Sequence, residues 1–350
     1  MLTICPTLSN VKNLSRTLPG PDGIRLIMSA SGLEFHFRGR ELSFLLKGDE
    51  AVKGSNEDNH ARFRIFAGGE VLTEGMLSAP EQTVTVYAPG SGEHDVIIRF
   101  LKLSEAPMSS ILISAILTDE NAEITPTPCR ERHIEIIGDS ITCGYAIDDE
   151  DPLHDFKTST EDASKAYAYL VAQGLNADYN IVSYSGYGIV SGYTGTGEIN
   201  RSELLPPYYE TMGRCYGFPE AEKLPWDFQR FTPELVIINL GTNDDSYCLE
   251  YEDRRSDHRA LYKEFLKTVR SHYPEARILC ILGIMGDRLY PNVELAVNQY
   301  RDETGDRNIS ALHMDEQLPE DGLVANYHPT ERTHRKAADV LLNYLGKLGY

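Results

Sequence analysis

Ile134-Glu135-Ile136-Ile137-Gly138-Asp139-Ser140-Ile141-Thr142-Cys143-Gly144 decides how this chain is read. A short apolar run, suited to a buried parallel strand, leads into a tight turn with one serine, and the residues after it open a helix. A serine at the top of such a strand is exposed at the sheet's edge, with backbone N–H groups beside it that can hold an oxyanion. Gly138 and Gly144 allow the sharp turn and close packing this requires. Alone, the stretch is more simply an ordinary strand–turn–helix junction in which Ser140 caps the helix. Only the rest of the chain overturns that reading.

Toward the C-terminus, apolar runs at 133–137, 180–184, 235–240, 278–284 and, more weakly, 309–314 predict strands. Helices are expected between them near 163–175, 256–271, 292–303 and 330–348. In the last, Ala337, Val340, Leu341, Tyr344 and Leu345 recur at helical spacing and are expected to face the sheet. Such alternation implies a parallel sheet covered on both faces and joined by right-handed crossovers. Its ligand site belongs outside the carboxyl ends of the strands.

Toward the N-terminus the pattern is all-β. Runs at 24–28, 33–37, 42–46, 63–66, 84–87, 96–100 and 111–116 are separated by turn signals such as Ser31-Gly32, Gly68-Gly69 and Pro89-Gly90-Ser91-Gly92. Many short strands at this spacing predict a sandwich of jelly-roll type. Thr125-Pro126-Thr127-Pro128 reads as a stiff linker. The expected division is a β-sandwich domain at 1–126 and an α/β domain at 129–350.

At 350 residues the chain has room for two cores. Its 41% hydrophobic and 25% charged residues are those of a soluble globular protein. No apolar stretch approaches the ~20 residues of a membrane span. Met1-Leu2-Thr3-Ile4-Cys5-Pro6 lacks a basic segment followed by an apolar run, so a cytoplasmic location is expected. The formal net charge of −20 argues against nucleic acid and anionic membranes as partners and suits a neutral sugar. Whether copies of the chain associate is left open. Six cysteines without a CxxC pair read as free thiols in a reducing compartment rather than a zinc site. Cys143, close to Ser140, is read as packing inside the first helical turn.

The polar residues at the strand ends change the reading of Ser140. Gly186, in Tyr184-Ser185-Gly186-Tyr187-Gly188, follows the second strand, and Asn243, in Leu240-Gly241-Thr242-Asn243-Asp244, follows the third. His328, in Tyr327-His328-Pro329-Thr330, precedes the last helix. One rim thus collects a nucleophile, further oxyanion donors and a general base, which is the inventory of acyl transfer. Singly, each has a plainer explanation: a turn glycine, a loop cap, a surface histidine. Their joint occurrence carries the weight. His334 competes as a base but falls inside the helix and is read as structural.

Gly138-Asp139-Ser140, Gly186, Gly241-Thr242-Asn243-Asp244 and His328-Pro329 resemble the four blocks of the SGNH (GDSL-type) hydrolases, and no Gly-x-Ser-x-Gly elbow of the other common α/β hydrolases occurs. Gly92-Glu93-His94-Asp95-Val96, Lys102-Leu103-Ser104-Glu105-Ala106, the stretch at 134–142 and Trp226-Asp227-Phe228 resemble carbohydrate esterase family 2 more closely still. The resemblance implies a jelly-roll domain joined to a flavodoxin-like SGNH domain. It also implies a serine esterase of the acetylxylan esterase kind, which deacetylates xylan- or mannan-type poly- or oligosaccharides through an acetyl-enzyme and needs no metal or organic cofactor. Ser140 and His328 would be catalytic, with the oxyanion held by Ser140, Gly186 and Asn243.

One position departs from the superfamily pattern. The aspartate usual three residues before the histidine is Ala325 here. Family 2 resemblance implies that a main-chain carbonyl takes its place, leaving a Ser140–His328 dyad; Asp321 and Asn326 lack the usual spacing. Tyr327 and Trp226 are the candidate sugar contacts, although buried packing suits Trp226 as well. The acidic segments 147–162 and 244–257 are expected to wall the cleft as loops. Two other readings remain open: a lipid or acyl-thioester hydrolase on the same core, and a carbohydrate-binding protein whose catalysis has decayed, with Ala325 as the sign.

Overall fold

The computed structural model describes residues 2–54 and 56–350. Its N-terminal part is a sandwich of two antiparallel sheets, as the many short strands predict. One runs in the order Thr17–Gly20, Gly23–Leu26, Ile111–Thr118, Leu42–Lys47, Glu81–Tyr87, and Leu2–Ile4 also pairs with Ile111–Thr118. The other runs Glu123–Pro126, Gly32–Gly39, His94–Lys102, Ala61–Ala67, Glu70–Leu77, with Lys12–Leu14 also on Gly32–Gly39. Phe35, Phe37, Phe44, Phe63 and Phe100 are fully buried between the sheets, and Phe44 meets Phe100 edge-on at 5.2 Å between ring centroids.

Among the described residues, five strands lie outside the predicted runs, Leu2–Ile4, Lys12–Leu14, Thr17–Gly20, Glu70–Leu77 and Glu123–Pro126, the last two for identifiable reasons. Glu70–Leu77 is largely exposed, so its sequence carries no alternation to read. Glu123–Pro126 takes in the first half of the supposed linker, Thr125-Pro126, yet it pairs along Gly32–Gly39 as an edge strand. Proline is tolerated there because an edge strand has one side without a partner to donate to.

The α/β part is built on five parallel strands: β1 (Arg132–Gly138), β2 (Ala177–Ser183), β3 (Leu235–Asn239), β4 (Arg277–Ile284) and β5 (Ile309–Glu316). Their order in the sheet is β2-β1-β3-β4-β5. Helix α1 (Ser140–Cys143) follows β1, α2 (Tyr167–Gly174) precedes β2, and α3 (Thr242–Cys248) and α4 (Glu252–His272) follow β3. Helix α5 (Tyr290–Thr304) follows β4, and α6 (Glu331–Lys347) ends the fold. Alternate residues of the strands face opposite layers. Ile134, Ile136, Ile181 and Ile237 pack with α2 and α6, whereas Ile137, Val182, Val236 and Ile238 pack with α4 and α5. Burial on both faces is why β3 reads as an apolar run and β1 as one broken only by Glu135.

Along α6 the buried side chains are Thr333, His334, Ala337, Ala338, Leu341 and Leu345, and Val340 is 38% exposed, so the apolar stripe lies slightly off the predicted line. The acidic segment at 244–257 is not a loop: most of it is α3 and the start of α4. Asp244 and Asp245 sit in the first turn of α3, where the helix dipole favours acidic side chains. No helix among the described residues is long and apolar enough to cross a membrane.

The sandwich and the α/β layer share buried contacts. Arg16 lies fully buried against Glu135 of β1, 3.2 Å between guanidinium nitrogen and carboxylate oxygen. Glu135 also accepts the hydroxyls of Tyr209 (2.7 Å) and Tyr273 (3.2 Å). Ile27, Met28 and Ala106 of the sandwich chain belong to one α/β core cluster, and Leu14, Ala30, Leu101 and Leu103 to the other. Because the chain leaves β1 toward β2 on one side and β3 on the other, the crevice of a doubly wound sheet opens at the carboxyl ends of β1 and β3.

Candidate active site

Ser140 lies in that crevice. Asp139 ends β1's turn in an extended conformation and accepts the Ile141 N–H at 3.1 Å, so Asp139 is the cap of α1 and the Ser140 hydroxyl is left free of that task. Gly138 is needed for space: a Cβ there would lie 2.1 Å from Thr142 Oγ1. Gly144 ends α1 at φ +77°, a left-handed conformation that glycine adopts without strain.

His328 comes from a small hairpin in which Leu323–Val324 pairs antiparallel with His328–Pro329. Its turn holds Asn326 and Tyr327 at φ +53° and +61°, both uncommon for residues with a side chain. The turn aims main-chain oxygens at the ring: His328 Nδ1 lies 3.1 Å from the Asn326 carbonyl and 3.3 Å from that of Ala325. On the other side, Nε2 lies 2.9 Å from Ser140 Oγ. With Nδ1–H donated to a carbonyl, Nε2 is the nitrogen left to accept a proton. Burial pushes the imidazole down to about 4, and the two carbonyls only partly oppose this, so the ring is neutral.

Asp321 does not reach this ring; its carboxylate pairs with Lys336 (2.6 Å) and Arg332 (2.9 Å). Asn326 turns its side-chain amide to the Tyr145 hydroxyl at 2.8 Å. Tyr145 in turn stacks on His328, 4.0 Å between centroids, and Phe156 stacks on Tyr145 at 4.4 Å. This stack fixes the plane of the imidazole, and the sequence reading missed it. Its one local signal was an aromatic directly after Gly144.

The loop after β2 brings Gly186 to the same rim at φ +82°. No hydrogen bond from the Gly186 or Ser140 N–H is made among the described residues. Asn243 opens α3; its Nδ2 donates to the Tyr187 carbonyl at 2.9 Å and makes only a long 3.4 Å contact with Asp139 Oδ2. Burial pushes the Asp139 carboxyl up to about 7; the Ile141 N–H opposes the shift and the charge of Asp244 adds to it. Asp244 clamps the two blocks together, accepting the N–H groups of Ile189, Val190 and Ser191 at 2.6–3.1 Å.

Tyr327 stands beside His328 with 54% of its surface exposed. Trp226 is not at the site, contrary to the sugar-contacting alternative. It is 6% exposed, lies under the Arg16 and Arg230 guanidinium groups, and lines a groove shared with His133 and Asp178, at the amino ends of β1 and β2. Of the other candidates, His334 is fully buried and accepts the Tyr167 N–H at 3.2 Å. The thiol of Cys143 is pushed well above its usual range by burial and two nearby glutamates, which leaves it inert as a nucleophile. Among the described residues, Glu105, Cys143 and Glu161 form the cluster of metal-ligand type. Glu105 and Glu161 already accept main-chain N–H groups, of Ser185 and Glu105 respectively, each at 2.8 Å.

Residues 136–336 match the profile of the GDSL-like lipase/acylhydrolase family. The chain belongs to that family. Within it, sequence and fold together link this GDSL-type hydrolase to carbohydrate esterase family 2. It is 28% identical over 336 residues to the cellulase/esterase CelE of Acetivibrio thermocellus, covering 94% of this chain but only 38% of CelE. It is likewise 28% identical over 300 residues to an acetylxylan esterase / glucomannan deacetylase of Cellvibrio japonicus, covering 82% of this chain and 79% of that one. A family two carbohydrate esterase from Clostridium thermocellum, solved in complex with cellohexaose, superimposes with a TM-score of 0.83 at 27% identity over 97% of this chain and 99% of that chain. The acetyl xylan esterase Est2A from Butyrivibrio proteoclasticus shares the fold, with a TM-score of 0.87 at 24% identity over 98% and 96% of the two chains. These likenesses support carboxylic ester hydrolysis of the acetylxylan esterase type.

Proposed function

We propose that this GDSL-type hydrolase removes O-acetyl groups from xylan- or mannan-type oligo- and polysaccharides through an acetyl-enzyme. The observation that carries the reading is the 2.9 Å contact between Ser140 Oγ and a neutral His328 whose far nitrogen is held by main-chain carbonyls. His328 Nε2 takes the serine proton as Oγ attacks the acetyl carbonyl. The N–H groups of Ser140 and Gly186 and the second Nδ2–H of Asn243 hold the oxyanion. As the intermediate collapses, the sugar oxygen leaves with the proton from His328, and acetate remains esterified to Ser140. Water then gives its proton to His328, attacks the acetyl-enzyme, and releases acetate with return of the proton to Ser140. The exposed ring of Tyr327 offers the sugar a flat face beside the base. Six cysteines without disulfide bonds support a reducing compartment as the place of work.

The test is mass-spectrometric deacetylation of defined acetylated xylo- and manno-oligosaccharides by the wild-type protein and Ser140→Ala. Stepwise replacement of acetyl groups by hydrogen is expected only with Ser140 present. Activity that survives Ser140→Ala removes the nucleophile. Octanoyl p-nitrophenyl esters turned over as fast as acetyl ones would favour a lipid or thioester substrate instead.

A further inference from the structure

Glu105 belongs to the sandwich side of the chain, three residues beyond the strand His94–Lys102. It nevertheless ends up fully buried between three segments of the α/β part. Its Oε2 accepts the Ser185 N–H at 2.8 Å and lies 3.7 Å from Cys143 Sγ, in the turn of helix that begins with Ser140. Its own N–H is held by Glu161 Oε2 at 2.8 Å, and its carbonyl accepts from the buried Lys102 ammonium at 2.8 Å. Asp162, which follows Glu161, donates its N–H to the Gly144 carbonyl at 3.2 Å, closing the ring of contacts back onto α1. Ser185 immediately precedes Gly186. A peptide plane fixed at the Ser185 N–H sets where the following Gly186 N–H points, because little but two dihedrals separates them.

We propose that Glu105 is the positioning residue of the oxyanion hole, delivered by the sandwich to set the Gly186 N–H against Ser140. This rests on the assignment of Gly186 as an oxyanion donor. The hydrogen-bond acceptor, rather than a negative charge, does the work. A full carboxylate charge this close to a developing oxyanion would oppose catalysis. The arrangement moderates that: burial pushes both Glu105 and Glu161 toward the neutral form, and the charge of Glu105 raises Glu161 further. The buried Lys102 compensates the remaining charge.

Glu105→Gln keeps an acceptor of the same reach, Glu105→Asp withdraws it by one methylene, and Glu105→Ala removes it. Steady-state kinetics on an acetyl ester, with thermal unfolding to confirm the fold, should give a kcat for Glu105→Gln within about threefold of wild type. For Glu105→Asp and Glu105→Ala, kcat should fall by about 10-fold or more, approaching ~10²-fold, the usual effect of misplacing catalytic groups by about an ångström, with KM held within about twofold. A merely structural glutamate would not split kcat from KM in this way, nor be rescued by glutamine. If Glu105→Ala does not fold, the aspartate–glutamine pair decides. Wild-type kcat in folded Glu105→Asp, a loss confined to KM, or a Glu105→Gln as slow as Glu105→Asp overturns the proposal. Ser140→Ala separates the two levels: if it is dead while the Glu105 variants are normal, only the positioning role fails. If Ser140→Ala is active, the catalytic assignment beneath it fails.

Discussion

His328 is held as a neutral base by burial, with main-chain oxygens rather than a carboxylate at Nδ1. Its folded value, about 4, lies below the ordinary 6.5, so the ring resists protonation until the pH is well below the usual range. The acid limb of kcat/KM is therefore expected near pH 4, measured on an acetyl ester under conditions where the protein stays folded. A limb at 6.5 or above would contradict this. The same depression acts on stability with a definite sign. The unfolded chain takes up the proton first as the pH drops below 6.5, so stability is lost progressively down to about 4. Asp139 acts oppositely: raised to about 7, it contributes stability below its unfolded value of 3.8 that is lost as the pH rises through 7. Asn243→Ala should lower kcat by ~10²–10³, the effect of losing one oxyanion donor, and an unchanged kcat would exclude Asn243 from that role. Ala325→Asp puts a carboxylate into a fully buried position beside Ala146 and Val324. It should lower the unfolding midpoint and leave kcat unchanged or reduced. A large rise in kcat would mean that the base lacks a partner it needs.

At the scale of elements, the rim is assembled by loops tied to one another. Asp244 in α3 satisfies three successive N–H groups of the loop after Gly186. Asp244→Ala strands those donors in a buried place and should cost ~3 kcal/mol or more, read as a lower urea midpoint. A midpoint within error of wild type would show that the clamp carries no load. The elements themselves were legible to different depths. β1 and β3 announce themselves because both faces are buried and most of their residues are apolar, Glu135 being the exception that pairs with Arg16. Glu70–Leu77 is silent because water takes most of its side chains. Helix α3 hid behind acidic residues that look like a loop and serve as a helix start. Ser140, Gly186, Asn243 and His328 could be found because strand ends converge in a parallel sheet. The partner of His328 could be anticipated only as a class. A carbonyl oxygen has no residue identity, and the left-handed turn at Asn326 and Tyr327 that aims it is not written in either residue type. Tyr145 reaches His328 across a long sequence separation, and Trp226, though unique in the chain, gave no direction.

The whole molecule is held as one by charged groups that cross between its parts. Arg16→Ala would leave Glu135 buried without its cation, which costs ~3–5 kcal/mol. Sandwich and α/β part should still melt together in a single calorimetric transition, at a lower temperature; two resolved transitions in the wild-type protein would show that the shared core does not couple them. This embrace also bears on how the chain is made. Residues up to Pro126 are synthesised before Glu135 and Ser185. The face that will later be covered by Ile137, Val182 and their neighbours waits in water with Met28, Leu101 and Leu103 uncovered. Arg16, whose acceptors Glu135 and the Tyr209 carbonyl belong to the α/β part, is fully buried in the finished protein. Hydrated until those partners are synthesised, its charge is expected to discourage nascent chains from sticking to one another. A residue that fastens the finished protein is thus expected first to keep an unfinished one apart from its copies.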